Sequence, residues 1–326
     1  MPSSLKYYAM DEVAAHHTAS SVWVVVAGKV YDVTEFMEDH PGGGEIILQF
    51  GGQDITKVLQ DVNEHLHSDL AYEMLTDYCI GLLETSSIKT TEKVEEKAEF
   101  IDISKPMLAQ LWNKNFSKDF YMQEVHKARH CKYSAPIFGN FLEVFSLTYW
   151  WVIPLFWGPI TAYFLMKCLE VCHFTVLFYA LPLGVLIWTL VEYTLHRFLF
   201  HVDHLLPDHR VAIMIHFTMH GVHHFLPMDK NRLVLPPALG LFLGTPFWYL
   251  FEYFLPTGVS QGALAGGIIA YVSYDLCHYF LHHGKPFNAY LKEMKTYHLD
   301  HHYKDPNLGF GITSKLWDIA FGTLLK

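Results

Sequence analysis

The sequence is short of charge. Asp, Glu, Lys and Arg make up only 17% of its 326 residues, against about 25% in an ordinary soluble chain. With 51% hydrophobic residues, this excludes a disordered protein and argues against one that is soluble throughout. Clusters of positive charge are missing too. The formal net charge is −10, so the Lys/Arg-rich surface that nucleic acid needs is absent, and no nucleic-acid partner is expected. The 5 cysteines are scattered without paired spacing, which excludes a disulfide framework and a Cys-x-x-Cys metal knuckle. Met1 to Met10 holds no apolar run, so no cleavable signal peptide is expected.

What the chain has in excess is histidine. There are 22, of which 14 fall between His196 and His302. Charge is uneven as well. Residues 1–105 carry a balance of −12, whereas residues 106–326 carry +2. Two different objects are joined in one chain.

Residues 5–84 read as a small soluble domain. Val22–Val26 and Lys29–Val33 are β-rich runs separated by Ala27-Gly28, a hairpin signal. Residues 85–105 form a linker; the Ser/Thr/Lys/Glu-rich stretch within it, Thr85 to Glu99, has too little apolar surface to fold alone. Pro106 to Lys132 is aromatic and basic, which suggests helices lying at a membrane surface. Four stretches then lack charged residues altogether: Val144–Met166, Val171–Val191, Leu233–Phe251 and Tyr253–Tyr274. About 20 helical residues cross the hydrocarbon core, so four transmembrane helices are expected. Lys and Arg concentrate before the first span, between the second and third, and after the fourth. The positive-inside rule therefore puts both termini in the cytosol. The histidine-rich ends of spans two and four would then emerge together on the cytosolic side.

In the amino-terminal domain, His40-Pro41-Gly42-Gly43 follows the strand Val30–Val33 and a short helix at Thr34–Glu38. His67-Ser68 comes 27 residues after His40, and Tyr78-Cys79-Ile80-Gly81 lies downstream. These runs resemble a cytochrome b5 domain, an α+β fold. The resemblance implies that His40 and His67 clamp a haem b iron from both faces, with His65 a competitor for the second position. Filling both axial positions leaves nothing for oxygen to bind, so such a haem shuttles single electrons. The acidic surplus would steer a basic donor, and a cytochrome b5 reductase is the expected one. His16 and His17 match nothing in the motif and are expected to be exposed.

In the remainder, histidines recur in four groups. His196 and His201 leave span two; His220, His223 and His224 form HxxHH. His278 and His282 leave span four; His298, His301 and His302 repeat HxxHH. Spacings of three and four share a helical face, so each HxxHH is expected to converge its three imidazoles on one point. His196 and His201 are about 140° apart on an ideal helix and need a distorted turn. Ten imidazoles at these spacings read as a metal site, too many for one ion and suited to two. Imidazole suits zinc, copper, iron and nickel alike. A neighbouring one-electron carrier favours oxygen-activating iron over redox-silent zinc, although zinc can occupy such a site in a purified sample. His204, His209, His216 and His283 fall off the repeat and are expected behind the ligands, at helix caps or in solvent; His173 is expected at the far interface. Glu192 and Asp275 are expected to orient ligand imidazoles.

The boxes resemble the membrane-bound fatty acid hydroxylase superfamily. The finer likeness is to the fatty acid 2-hydroxylases, through Glu192–His201, His220-Gly221-Val222-His223-His224, Tyr274-Asp275, and Gly309-Phe310-Gly311 leading to Leu316-Trp317-Asp318. The resemblance implies hydroxylation of carbon 2 of long-chain or very-long-chain fatty acyl groups, with O2 as co-substrate. It also implies ceramide or a fatty acyl precursor as substrate, a multi-pass place in the endoplasmic reticulum membrane, and the ten box histidines as ligands of two iron ions. It names no catalytic side chain beyond those ligands. The expected architecture is an α+β haem domain (5–84), a linker (85–105) and an all-α integral membrane domain (106–326) with four spans and a cytosolic histidine-rich cap. A fatty acyl desaturase or sterol oxidase would share the metal chemistry, and a membrane metal transporter is the non-enzymatic rival. A transporter should hold its ligands near the bilayer midplane, whereas these lie at or beyond the span ends.

Overall fold

The structure, a computed structural model, describes residues 6–38, 40, 44–60, 69–84, 100–129 and 133–325. It divides into two compact units, one essentially residues 1–99 and the other essentially residues 100–326.

In the first unit, strands β1 (Tyr7–Tyr8), β2 (His17–Thr18), β3 (Ser21–Val26), β4 (Lys29–Asp32) and β5 (Cys79–Leu83) form one sheet in the order β1-β5-β4-β3-β2. β3 and β4 make the expected hairpin, with Val26 opposite Lys29. Its two turn residues, Ala27 and Gly28, both have positive φ, of 50° and 75°. A tight turn that matches strand twist requires this. Alternation along β3 then sorts its valines. Val22, Val24 and Val26 face Phe36, Ile47, Leu48 and Leu59, while Val25 faces Tyr8, Val13 and Val30. Helices α1 (Met10–Ala14), α2 (Gly44–Gln49), α3 (Thr56–Gln60) and α4 (Asp69–Leu75) complete the unit, with a 3-10 turn at Glu35–Glu38.

Among its described residues the second unit has helices joined by loops and no strand. Phe100 and Ile101, which fall within the expected linker bounds of 85–105, are buried in its core. Helices α5 (Met107–Lys114) and α6 (Lys118–Val125) contribute Met107, Leu111, Tyr121 and Val125 to the same core. They pack onto Ile213, Phe217 and Phe225 through their apolar faces.

Four long apolar helices follow: α7 (Val152–Val171), α8 (Leu177–Thr194), α11 (Pro237–Phe254) and α12 (Val259–His283). Between them lie α9 (Arg210–His216) and α10 (Val222–Phe225), and α13 (Ala289–Tyr303) and α14 (Leu316–Phe321) close the chain. The first charge-free run does not begin its helix at Val144. Phe141–Phe145 is a separate 3-10 turn, and α7 starts only at Val152. The preceding segment is held apart by Glu143, which accepts the backbone N–H groups of Ile137, Phe138 and Gly139. Pro237 stands at the first turn of α11, where a missing N–H costs nothing.

Two segments, Val152–Val171 and Phe174–Leu205, are long and apolar enough to cross a membrane, with mean hydropathies of 1.4 and 2.1. Within an apolar 18-residue window of each, only 22% and 17% of the residues are buried. Apolar helices so little covered by protein indicate membrane association. Among the described residues this count of two falls short of the expected four; α11 and α12 occupy the third and fourth positions but are not apolar enough over a long enough stretch to be counted. α8 and α12 pack closely: a Cβ on Gly184 or Gly266 would strike the carbonyl of Ala263 or Leu181. Small residues are what permit such backbone approach between apolar helices.

Candidate metal centre

The histidine pairs sit where α8 and α12 end. α8 continues as a π-helical turn, Leu195–Phe200, in which the His201 N–H donates to the His196 carbonyl at 3.0 Å. This wider turn is the distortion the five-residue spacing asks for, and it swings both imidazoles to one side. A second π turn, Phe217–Gly221, carries His220 into α10.

The structure brings all ten box histidines together in two groups of five. One holds His196, His201, His220, His224 and His301; the other holds His223, His278, His282, His298 and His302. The expectation that each HxxHH converges on one point does not hold. Its outer pair, four residues apart, stays together, while the middle histidine crosses to the other group. His223 joins the α12 pair and His301 joins the α8 pair. Helical geometry explains this. Positions i and i+4 differ by about 40°, but i+3 is rotated about 60° the other way. The crossing interlocks the two groups, with the rings of His224 and His302 only 4.3 Å apart.

The nitrogen geometry fits a metal. Nε2 atoms meet at 3.1 Å (His201 and His224), 3.2 Å (His220 and His224) and 3.1 Å (His201 and His301) in the first group. In the second they meet at 2.9 Å (His223 and His278), 2.9 Å (His282 and His298) and 3.1 Å (His298 and His302). Donors about 2.1 Å from one ion lie about 3.0 Å apart at right angles and about 3.4 Å apart in a tetrahedron. Carbonyls fix the tautomer of two of these rings. His278 donates its Nδ1–H to the Leu233 carbonyl at 3.1 Å, and His301 donates to that of Leu308 at 2.7 Å. Each Nε2 is then a bare lone pair facing another ring nitrogen. The buried Nε2 of His196 has no hydrogen-bond partner at all. Burial, and then the crowding of imidazoles, holds His220, His223, His224, His298, His301 and His302 well below the usual histidine pKa. They are neutral, the form a metal requires.

The loops supply the orientation. His196 Nδ1 donates to the Phe310 carbonyl at 2.6 Å. Asp318 in turn accepts the N–H groups of Phe310 (3.0 Å) and Gly311 (2.8 Å), and the Thr323 hydroxyl at 2.8 Å. The Gly-Phe-Gly and Leu-Trp-Asp runs are therefore one device.

The two carboxylates singled out by sequence do not touch ligands. Glu192 accepts from the Thr313 hydroxyl at 2.7 Å. Asp275 accepts from Leu235 N–H, at 3.1 Å to one oxygen, and from Tyr271 at 3.2 Å. Asp275 thus acts only indirectly, by holding the segment whose Leu233 carbonyl receives His278. The carboxylate that does face a ligand is Asp203, 3.8 Å from His201 Nδ1. Its position two residues after His201 was the signal available in the sequence. Among the histidines off the repeat, His209 caps α9, His216 is buried against Asp203, and His204 and His173 are exposed. His16 is not simply exposed; its ring stacks on Trp23 at 3.5 Å. His40 is half-buried beside Phe36, while His65 and His67 lie outside the described residues.

An apolar cavity of about 540 Å³ reaches the centre. His220, His223 and His278, drawn from both groups, line it together with Trp157, Trp188, Leu239 and Phe247. Along α11 its lining runs from Pro236 to Phe251, about 22 Å at about 1.5 Å per residue.

Comparison with known proteins agrees with this anatomy. Residues 9–84 match the cytochrome b5-like heme/steroid binding domain, and residues 181–323 match the fatty acid hydroxylase family. A ceramide very long chain fatty acid hydroxylase of Saccharomyces cerevisiae is 41% identical over 99% of this chain and 95% of its own. A fatty acid 2-hydroxylase of Rattus norvegicus is 33% identical over 99% of this chain and 96% of its own. A solved structure of full-length scs7p, in which only the hydroxylase domain is visible, covers 70% of this chain and 86% of its own at 47% identity, with a TM-score of 0.68. Fold and site together define a histidine-box hydroxylase, a monooxygenase fused to a cytochrome b5 domain. The chain belongs to the fatty acid 2-hydroxylase family. The cytochrome b5 domain implies haem, and the hydroxylase family implies iron.

Proposed function

We propose that the chain hydroxylates carbon 2 of long-chain or very-long-chain fatty acyl groups for ceramide synthesis, at two iron ions with O2 as co-substrate. The observation that carries this reading is the apolar cavity ending on histidines of both groups. The ten box histidines would hold the ions, five to each, and His40 and His67 would hold haem b in the amino-terminal domain. Bound iron would supply oxygen activation, using electrons delivered singly by the haem.

The protein's own residues do the remaining work. Trp157, Trp188, Leu239 and Phe247 exclude water and hold an alkyl chain along α11. His220, His223 and His278 then border its leading carbons. Arg232 is the one cation among the described lining residues, and it is already engaged. Glu143 lies 2.7 Å from its Nη2, Asp229 lies 3.1 Å from its Nε, and it also donates to Ser146 and to the Ala135 carbonyl. A guanidinium so committed does not await a free carboxylate. This supports an uncharged acyl amide or ester in the cavity, as in ceramide.

α7, α8, α11 and α12 would form four spans of the endoplasmic reticulum membrane, with both termini and the histidine cap cytosolic. The distribution of Lys and Arg supports that orientation. The acidic first unit would then meet a basic cytochrome b5 reductase on the same side. Lipid mass spectrometry of cells expressing the chain tests the function. Accumulation of 2-hydroxy acyl ceramides, lost in a His298→Ala control, is expected. A new double bond, or no product, would overturn it.

A further inference from the structure

The two groups of five differ in what stands behind the rings. In the first, His196 and His301 donate their Nδ1–H to carbonyls, and His201 Nδ1 faces the Asp203 carboxylate at 3.8 Å. That 3.8 Å contact is a charge contact and not a hydrogen bond, and His224 Nδ1 has no partner. In the second, only His278 has a partner of either kind. The buried Nδ1 atoms of His223, His282, His298 and His302 have none.

Asp203 is itself held from behind. Its Oδ1 lies 3.1 Å from His216 Nε2, and its Oδ2 lies 3.6 Å from His126 Nε2. His216 Nδ1 lies 2.7 Å from the hydroxyl of Tyr121, which is fully buried. Donation from Tyr121 to His216 Nδ1 leaves a proton on Nε2, which donates to Asp203. Gly221 belongs to the same arrangement, since a Cβ there would stand 2.6 Å from the Tyr121 oxygen. The result is a chain of buried groups, Tyr121 to His216 to Asp203 to His201, that ends on one metal site.

We infer that Asp203 is a positioning residue that makes the two metal sites unequal, so that the site of His196, His201, His220, His224 and His301 holds its ion more tightly. With a metal ion held by His201 Nε2, the His201 ring would become more polarised, with a stronger positive end at its Nδ1–H. The Asp203 carboxylate at 3.8 Å, largely shielded from water, would stabilise that polarisation and fix the ring's orientation. The other site has no counterpart among the described residues. The inference rests on the two-ion reading above and sharpens it.

The test uses the full chain loaded with Zn2+ and equilibrated against graded chelator, with zinc per chain measured by elemental analysis and referred to haem absorbance. Zinc is expected to leave in two steps with a plateau at one ion per chain. His196→Ala should abolish the tighter step and His282→Ala the weaker one. Asp203→Asn should weaken the tighter step by about 10- to 100-fold and merge the two, while Asp203→Glu retains part of the separation. In the Co2+-loaded chain, Asp203→Asn should alter the visible spectrum of one ion and leave the other. Should Asp203→Asn fail to fold, Tyr121→Phe decides, because it spares both carboxylate and ligands and should shift the same step less. Two ions leaving wild type in one step, or an unshifted tight step in the folded variant, would overturn the inference. Uptake of fewer than two zinc ions would instead overturn the two-ion reading.

Discussion

His196 and Asp318 never touch, yet the first is aimed by the second. The Phe310 carbonyl that receives His196 Nδ1 at 2.6 Å belongs to a turn whose N–H groups end on the Asp318 carboxylate. Asp318 is wholly buried. Its removal would strand two backbone donors, at about 1–3 kcal/mol each. Asp318→Ala is therefore expected to lower metal content and Tm together, and Asp318→Asn to do so less. Metal per haem, compared with the melting curve, checks this.

The crossing of the middle histidines makes double variants informative. His220→Ala and His301→Ala strike one group, so together they should cost one ion per chain. His298→Ala with His301→Ala strikes both groups and should cost two, although these residues share a box. Elemental analysis decides. The reverse pattern would restore one site per box.

Gly221→Ala should destabilise the cap, because the new methyl meets the Tyr121 oxygen at 2.6 Å and Val125 at 3.0 Å. Overpacking of this kind costs about 1–3 kcal/mol. Adding Tyr121→Phe removes the oxygen and should recover part of the lost Tm. Thermal unfolding of wild type and the two variants is the measurement.

Chain length should follow the cavity. Gly244 lines it, and a Cβ there would meet nothing within 4 Å. Gly244→Leu should fill that space and shift hydroxylated products toward shorter acyl chains. Phe251→Ala, at the far end of the lining, should admit longer ones. Product profiles by mass spectrometry show either shift.

Glu143 gives a pH signature. Burial alone would raise its pKa, but the Gly139 N–H and Arg232, with further hydrogen bonds, outweigh this and bring it down to about 2. A carboxylate with a depressed folded pKa stabilises above its unfolded value of about 4.5 and loses that contribution as pH falls toward 2. Glu143→Gln should therefore melt below wild type near neutrality, with the gap closing through that acid window. A gap independent of pH would contradict it.

Much of this protein was legible in the chain alone. The hairpin at Ala27-Gly28, the junction of two unlike halves and the ten histidines all follow from local rules: turn chemistry, charge partition and residue spacing. Even the distorted turn between His196 and His201 could be read, because five residues do not fit one face of an α-helix.

Tertiary structure decided how those histidines divide, since periodicity fixes directions around one helix but not which neighbour lies there. It replaced Glu192 and Asp275 with Asp203 behind a ligand, because buried carboxylates take the nearest donors and those arrive from distant segments such as Thr313 and Leu235. It also gave the Leu-Trp-Asp run its purpose, through a bond between residues more than a hundred positions apart. Sequence determined the donor chemistry; packing determined which donors meet.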